Sequence, residues 1–104
     1  MTTASPPIAV TPAEWLIIAA ILREHVPEAT VLAFGSRVTG RAKPFSDLDL
    51  VIDAAHPLSL SCTADLTEAF TESDLLFRVD IVDWATTRPE FRAIMRRDGV
   101  VLPF

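Results

Sequence analysis

A chain of 104 residues with a net charge of −5 has room for one compact domain and not for two. Its acidic balance, with a sequence pI near 4.8, excludes the basic stripe expected of a protein that binds long DNA or RNA. Half of the residues (50%) are hydrophobic and the mean hydropathy is +0.35, more apolar surface than so small a domain can hide, which points to association with a partner or with itself.

Residues 1–11 are rich in Thr, Ser and Pro and read as a flexible leader ahead of a single domain spanning 12–104. The leader lacks the basic and apolar regions of a signal peptide. The single Cys62 forms no internal disulfide, and no apolar run reaches the ~18 residues of a membrane span, so the cytoplasm is the expected compartment. Thr11, Pro12 and Glu14 announce a helix with a hydroxyl cap, proline in the first turn and an early acid. Trp15, Ile18, Ala19, Leu22 and Val26 then recur at helical spacing until Pro27. Residues 30–34 form a short apolar strand, followed by a polar stretch through Pro44 in which Gly35-Ser36 could open a short helix. Residues 47–52 are a second strand. Residues 58–73 read as a helix with Leu60, Ala64, Leu66, Ala69 and Phe70 inward. Residues 77–84 are a third strand, 87–97 a last helix stopped at Asp98-Gly99, and 100–102 an edge strand. Mixed order of this kind predicts an α/β (α+β) domain, a small mixed sheet flanked by helices.

Chemistry concentrates in residues 34–50. On a strand, Asp47 and Asp49 point to one face while Leu48 and Leu50 enter the other. Two adjacent carboxylates repel unless a cation lies between them. Such hard oxygen donors suit Mg²⁺ or Mn²⁺, with substrate phosphates completing the coordination. Asp80, between Val79 and Ile81 in an apolar strand, is costly there without a purpose. If its strand lies beside that of Asp49, three acids could hold two metal ions. Gly35 allows a phosphate to approach the backbone, and N–H groups at a helix start with the Ser36 hydroxyl could bind its oxygens. Arg37, Arg41 and Lys43 lie in the same loop of an acidic chain, so Arg37 is read as either a phosphate ligand or a solvated side chain. Ser46 is read as a cap on the loop backbone, with nucleotide binding as the alternative, and Gly40 as a turn requirement. Asp53 reads as a turn residue and Asp83 as a structural acid on the opposite side of its strand. His25, His56 and Cys62 show no metal-ligand spacing.

This stretch resembles the signature of the DNA polymerase β superfamily of nucleotidyltransferases, Gly-Ser followed by Asp-x-Asp. It is most similar to the minimal nucleotidyltransferases, whose form reads Gly-Ser-x-x-x-Gly-x-x-x-x-x-Ser-Asp-x-Asp-Leu. Gly35, Ser36, Gly40, Ser46, Asp47, Asp49 and Leu50 meet every fixed position, and Arg78-Val79-Asp80-Ile81-Val82 resembles the third-acid strand. The resemblance implies transfer of a nucleoside monophosphate from an NTP, with ATP expected, to an acceptor hydroxyl. It implies Gly35 and Ser36 at the β- and γ-phosphates, Asp47 and Asp49 on two Mg²⁺ ions, and Asp80 at the ion beside the acceptor. It further implies an antitoxin role beside a helical HEPN-type toxin, whose hydroxyl would be the acceptor. The alternative is an idle binding module that neutralises its partner by contact alone.

Overall fold

A computed structural model describes residues 6–104. Helix α1 (Pro12–His25) starts at a reciprocal capping box. The Glu14 N–H donates to Thr11 Oγ1 at 3.1 Å, and the Thr11 N–H donates to Glu14 Oε1 at 2.8 Å. Strand β1 (Thr30–Phe34) leads into a four-residue helix α2 (Ser36–Thr39) and the loop to β2 (Leu48–Asp53). Helix α3 (Leu60–Thr71), capped by the Ser59 hydroxyl on the Cys62 N–H at 3.0 Å, crosses over to β3 (Val79–Asp83). A 3₁₀ turn (Trp84–Thr86), helix α4 (Pro89–Asp98) and β4 (Val100–Val101) complete the chain.

The sheet is mixed, as expected, in the order β3-β2-β1-β4. β1 is antiparallel to β2 and to β4, whereas β2 and β3 are parallel, joined by α3. Alternation along the strands sorts the side chains. Val31, Ala33, Leu48, Leu50 and Ile52 join Ile18 and Leu22 of α1 and Leu66 and Phe70 of α3 in one buried cluster. That closes one face. On the other, Val51 is fully buried outside this cluster, the 3₁₀ turn packs on β2, and α4 packs on β1 through buried Met95. Helices therefore cover both faces.

Three expectations need correction. The inward stripe of α3 begins at Cys62, which packs on the core with Leu66 and Phe70, whereas Leu60 is 91% exposed and Ala64 is exposed. The helix starts at Leu60, so that residue lies in its first turn, before the helix reaches over the sheet. Asp47 falls just outside β2, and Trp84 belongs to the 3₁₀ turn and not to β3. Finally, residues 6–11 are not a free leader: Ile8 is buried in the core, and the Ala9 N–H donates to the Arg37 carbonyl at 2.8 Å. Residues 1–5 of that expected leader lie outside the described residues.

Candidate active site

β1 ends where β2 begins, because the two run antiparallel with Phe34 opposite Asp49. Gly35 follows immediately, with φ 90° and ψ −158°, a region essentially reserved for glycine. A Cβ on Gly35 would stand 2.6 Å from Asp49 Oδ2, so the backbone and the carboxylate touch where a side chain would intrude. Ser36 then opens α2, and Gly40 closes it in the left-handed conformation (φ 81°) with nothing within 4 Å of its missing Cβ. Gly40 meets a turn requirement, as its sequence context suggests.

The parallel ladder sets Asp49 directly beside Asp80. Residues paired in this way share a face, so both carboxyls stand on the side away from the large core, half-buried. Asp47 stands exposed at the mouth of β2. Burial lifts the Asp49 carboxyl above its ordinary value of 3.8, and the negative charges of Asp80 and then Asp47 lift it further. Asp80 Oδ1 accepts from Arg78 Nη2 at 3.2 Å. Among the described residues, no three His, Cys, Asp or Glu side chains are gathered closely enough to hold a metal ion by themselves. Two of the expected acids therefore meet on one face, and the third waits at its rim.

Arg37 occupies neither of the positions expected for it. It is 4% exposed. Nε donates to the Ser46 carbonyl at 2.9 Å and Nη1 to that of Ala9 at 2.8 Å. Nη2 reaches the carbonyls of Lys43 and Pro44 at 3.2 and 3.1 Å. Its guanidinium also lies 3.7 Å from the Phe77 ring centroid. Four of its five N–H groups are committed to carbonyls, so the residue clasps the loop that delivers Asp47 and Asp49. Its partners, 6 to 28 residues away, leave no local trace. Ser46 works in the same loop, its Oγ accepting from the Lys43 N–H at 2.8 Å, in line with the capping reading.

Asp83 and Asp53 serve the backbone. Asp83 accepts from the Leu58 and Ala85 N–H groups at 3.0 and 3.1 Å. Asp53 accepts from the Ala55 N–H at 3.0 Å, beside the positive φ (64°) of Ala55. His25, His56 and Cys62 line a hollow with Pro27 and Leu58, apart from the acids. Trp84 lies under the guanidiniums of Arg92 and Arg96, at 5.0 and 4.9 Å. Sequence reasoning assigned nothing to the cleft of about 500 Å³ that opens beside Gly35, walled by Phe34, Phe91, Ile94 and Met95.

Known proteins resemble this chain in sequence and in fold. The family described as "Polymerase beta, Nucleotidyltransferase" matches residues 17–103. The chain is 53% identical over 89 residues to a probable protein adenylyltransferase MntA of Haemophilus influenzae, covering 86% of this chain and 78% of that protein. It superposes on a crystal structure of a toxin–antitoxin with AMP-PNP at a TM-score of 0.70 and 25% identity, over 84% of this chain and 70% of the other. A structure of a toxin–antitoxin MntA-HpeT mutant, at TM-score 0.69 and 23% identity over 84% and 70% of the two chains, shares the fold. With the Gly-Ser turn, the two acids of β2 and β3 and these likenesses together, the chain belongs to the polymerase β nucleotidyltransferase family.

Proposed function

We propose that this nucleotidyltransferase moves a nucleoside monophosphate from ATP to a hydroxyl on a partner protein, and that the partner is a helical HEPN-type toxin which the chain counters as a cytoplasmic antitoxin. The observation that carries the chemistry is the pairing of Asp49 with Asp80 on neighbouring parallel strands, against the glycine that ends β1. Support for ATP and a protein acceptor comes from the relatives, one called a probable protein adenylyltransferase and one a toxin–antitoxin crystallised with AMP-PNP.

Nucleotidyltransferases of this family generally use divalent metal ions. The residues present fit such a group. Asp49 and Asp80 are hard oxygen donors crowded on one face, and the Asp49 carboxyl is raised first by burial and then by the charges of Asp80 and Asp47, charges that a cation would offset. Asp47 and Asp49 with Asp80 would hold two Mg²⁺ ions, Mn²⁺ being the alternative. When bound, they would neutralise the triphosphate and polarise the acceptor oxygen.

The chain's own groups do the rest. The Gly35 backbone, the Ser36 N–H and the Ser36 hydroxyl receive the β- and γ-phosphates, a role that Gly35 permits by having no Cβ. Arg37 contributes by holding the loop, and Ser46 by capping it, so neither needs to touch the nucleotide. The acceptor oxygen bonds to the α-phosphorus, the bond to the β-phosphate oxygen breaks, and pyrophosphate leaves. Asp80 takes the acceptor proton. Fixed placement of the reacting groups supplies most of the acceleration.

The test is incubation of the protein with labelled ATP, CTP, GTP or UTP, Mg²⁺ and its co-purifying partner. Label is expected on the partner with ATP, and is expected to vanish with Asp49→Asn and Asp80→Asn. Wild-type transfer by either folded variant would sink the metal-site reading. A stable complex with no labelling at all would favour neutralisation by contact alone.

A further inference from the structure

β3 carries an acid of the site, and it is an edge strand. The Leu48 N–H donates to the Arg78 carbonyl at 2.8 Å, which fixes the parity of the parallel ladder. Arg78, Asp80 and Val82 turn their backbone groups toward β2, while those of Val79 and Ile81 point away from the sheet. Among the described residues nothing hydrogen-bonds these outward N–H and C=O groups. No proline, lysine or bulge interrupts the edge at Val79 and Ile81, and its charges are Arg78, Asp80 and Asp83. A groove of about 370 Å³ opens at the start of this edge, lined by Thr67 and Thr71 of α3, by Leu76 and Arg78, and by Val79 and Asp80 of β3. The Asp80 side chain is 45% exposed and that of Arg78 79% exposed.

We infer that this edge is the acceptor site, where an extended hydroxyl-bearing segment of the partner protein adds to β3 as a fifth strand, pairing with Val79 and Ile81. The inference rests on the proposed transfer and names how its acceptor is held. An added strand runs about 4.8 Å from β3. Side chains of that strand beside Asp80 rise on the face that bears Asp80 and Asp49, so a hydroxyl on one of them enters the site from the side opposite Gly35. Main-chain hydrogen bonds supply the hold, and the groove reads the side chains on the other face, as in other cases of strand addition. Only an extended segment can satisfy donors and acceptors two residues apart on one edge. That geometry favours a peptide acceptor over a small molecule, which could not reach both.

Val79→Pro removes one outward N–H without costing a bond within the sheet, a substitution that strand edges tolerate. Thr71→Trp fills the groove from an exposed helical position. The probes are the co-purifying protein and a nine-residue synthetic peptide centred on whichever hydroxyl residue it carries label on. With either probe, kcat/KM for the acceptor should fall about tenfold in each variant, while ATP affinity, measured by calorimetry with Mg²⁺, and the urea midpoint report that the fold is intact. Hydrogen exchange of the wild-type chain should show the Val79 and Ile81 amides protected by the peptide. Unchanged kcat/KM in both variants with labelling retained, or no protection at these two amides, would overturn the acceptor site and leave the transferase standing. Absence of labelling by the wild-type chain would overturn the transferase reading and this site with it. A concentration-dependent dimer abolished by Val79→Pro would assign the edge to a second copy of the chain and overturn the inference.

Discussion

Gly35→Ala and Gly40→Ala form an informative pair. Both glycines have positive φ, 90° and 81°, yet they differ in what a Cβ would meet. At Gly40 the new methyl group enters open space and the backbone is left-handed, so the cost is conformational only, about 1 kcal/mol. At Gly35 the backbone lies in a region that only glycine populates easily, worth roughly 1–3 kcal/mol. The methyl group would also stand 2.6 Å from Asp49 Oδ2, inside van der Waals contact. Asp49 must rotate to escape, and a catalytic group displaced by about 1 Å can lose on the order of a hundredfold in rate. Urea unfolding, followed by the fluorescence of Trp15 and Trp84, should therefore show a loss of roughly 2–3 kcal/mol for Gly35→Ala, against about 1 for Gly40→Ala. Labelled transfer should collapse in the first and survive in the second. If Gly35→Ala is as stable and as active as Gly40→Ala, contact with Asp49 is not what requires glycine there.

Arg37→Met should cost about 3 kcal/mol by urea unfolding, because it leaves four carbonyls without their shared donor. Arg37→Lys should recover little, since an ammonium cannot span the same fork; full recovery would mean that charge alone suffices. Ile8→Ala should cost roughly 2–4 kcal/mol, whereas no change in the urea midpoint would show that residues 6–11 are not anchored. For Asp49, the folded carboxyl sits above its unfolded value of 3.8. The folded chain therefore holds that proton more tightly, an advantage present below pH 3.8 and lost as pH rises through the folded value. In EDTA, the melting temperature of Asp49→Asn should gain on wild type over that rise and then run level; a gap equal at pH 3 and pH 7 would refute the coupling. Added Mg²⁺ should raise the wild-type melting temperature more than that of Asp49→Asn, and equal shifts would place the cation elsewhere.

The sequence was most legible where the candidate residues lie at short spacing. Gly35-Ser36, Asp49 and Asp80 follow from alternation and from the cost of an acid among valines and isoleucines, and all three meet at one end of the sheet. Asp47 was read from the same alternation, but the ladder starts one residue later and leaves it exposed at the mouth. What escaped was whatever depends on a partner distant in the chain. Arg37 is a charged residue in a polar loop until Ala9, Lys43, Pro44 and Ser46 are folded around it. Ile8 looks like part of a Pro- and Thr-rich leader until Arg37 exchanges hydrogen bonds with Ala9 next to it. Leu60 and Cys62 both lie in an amphipathic window, and only the position of α3 over the sheet decides that Cys62 packs and Leu60 does not.

Topology explains why so few residues make the site. β1 runs against β2, so the end of β1 and the start of β2 coincide, and Gly35 falls beside Asp49. β3 runs with β2, so it starts at that same end, and its second residue, Asp80, falls beside the second residue of β2. An antiparallel β3 would bring its last residues to this end instead. A one-residue slip of β3 would turn Asp80 into the cluster that holds Leu48 and Leu50 and leave Val79 or Ile81 on the open face. The apolar residues on the core side of β2 and β3 thus do more than stabilise the domain: because Leu48, Leu50 and Ile52 bury in the large cluster with Val79 and Ile81 packed against it, they hold the register that keeps both carboxyls on the other face. Ile81→Ala, which loosens the packing of β3 on the core, should for this reason lower transfer more than its cost in stability alone would predict.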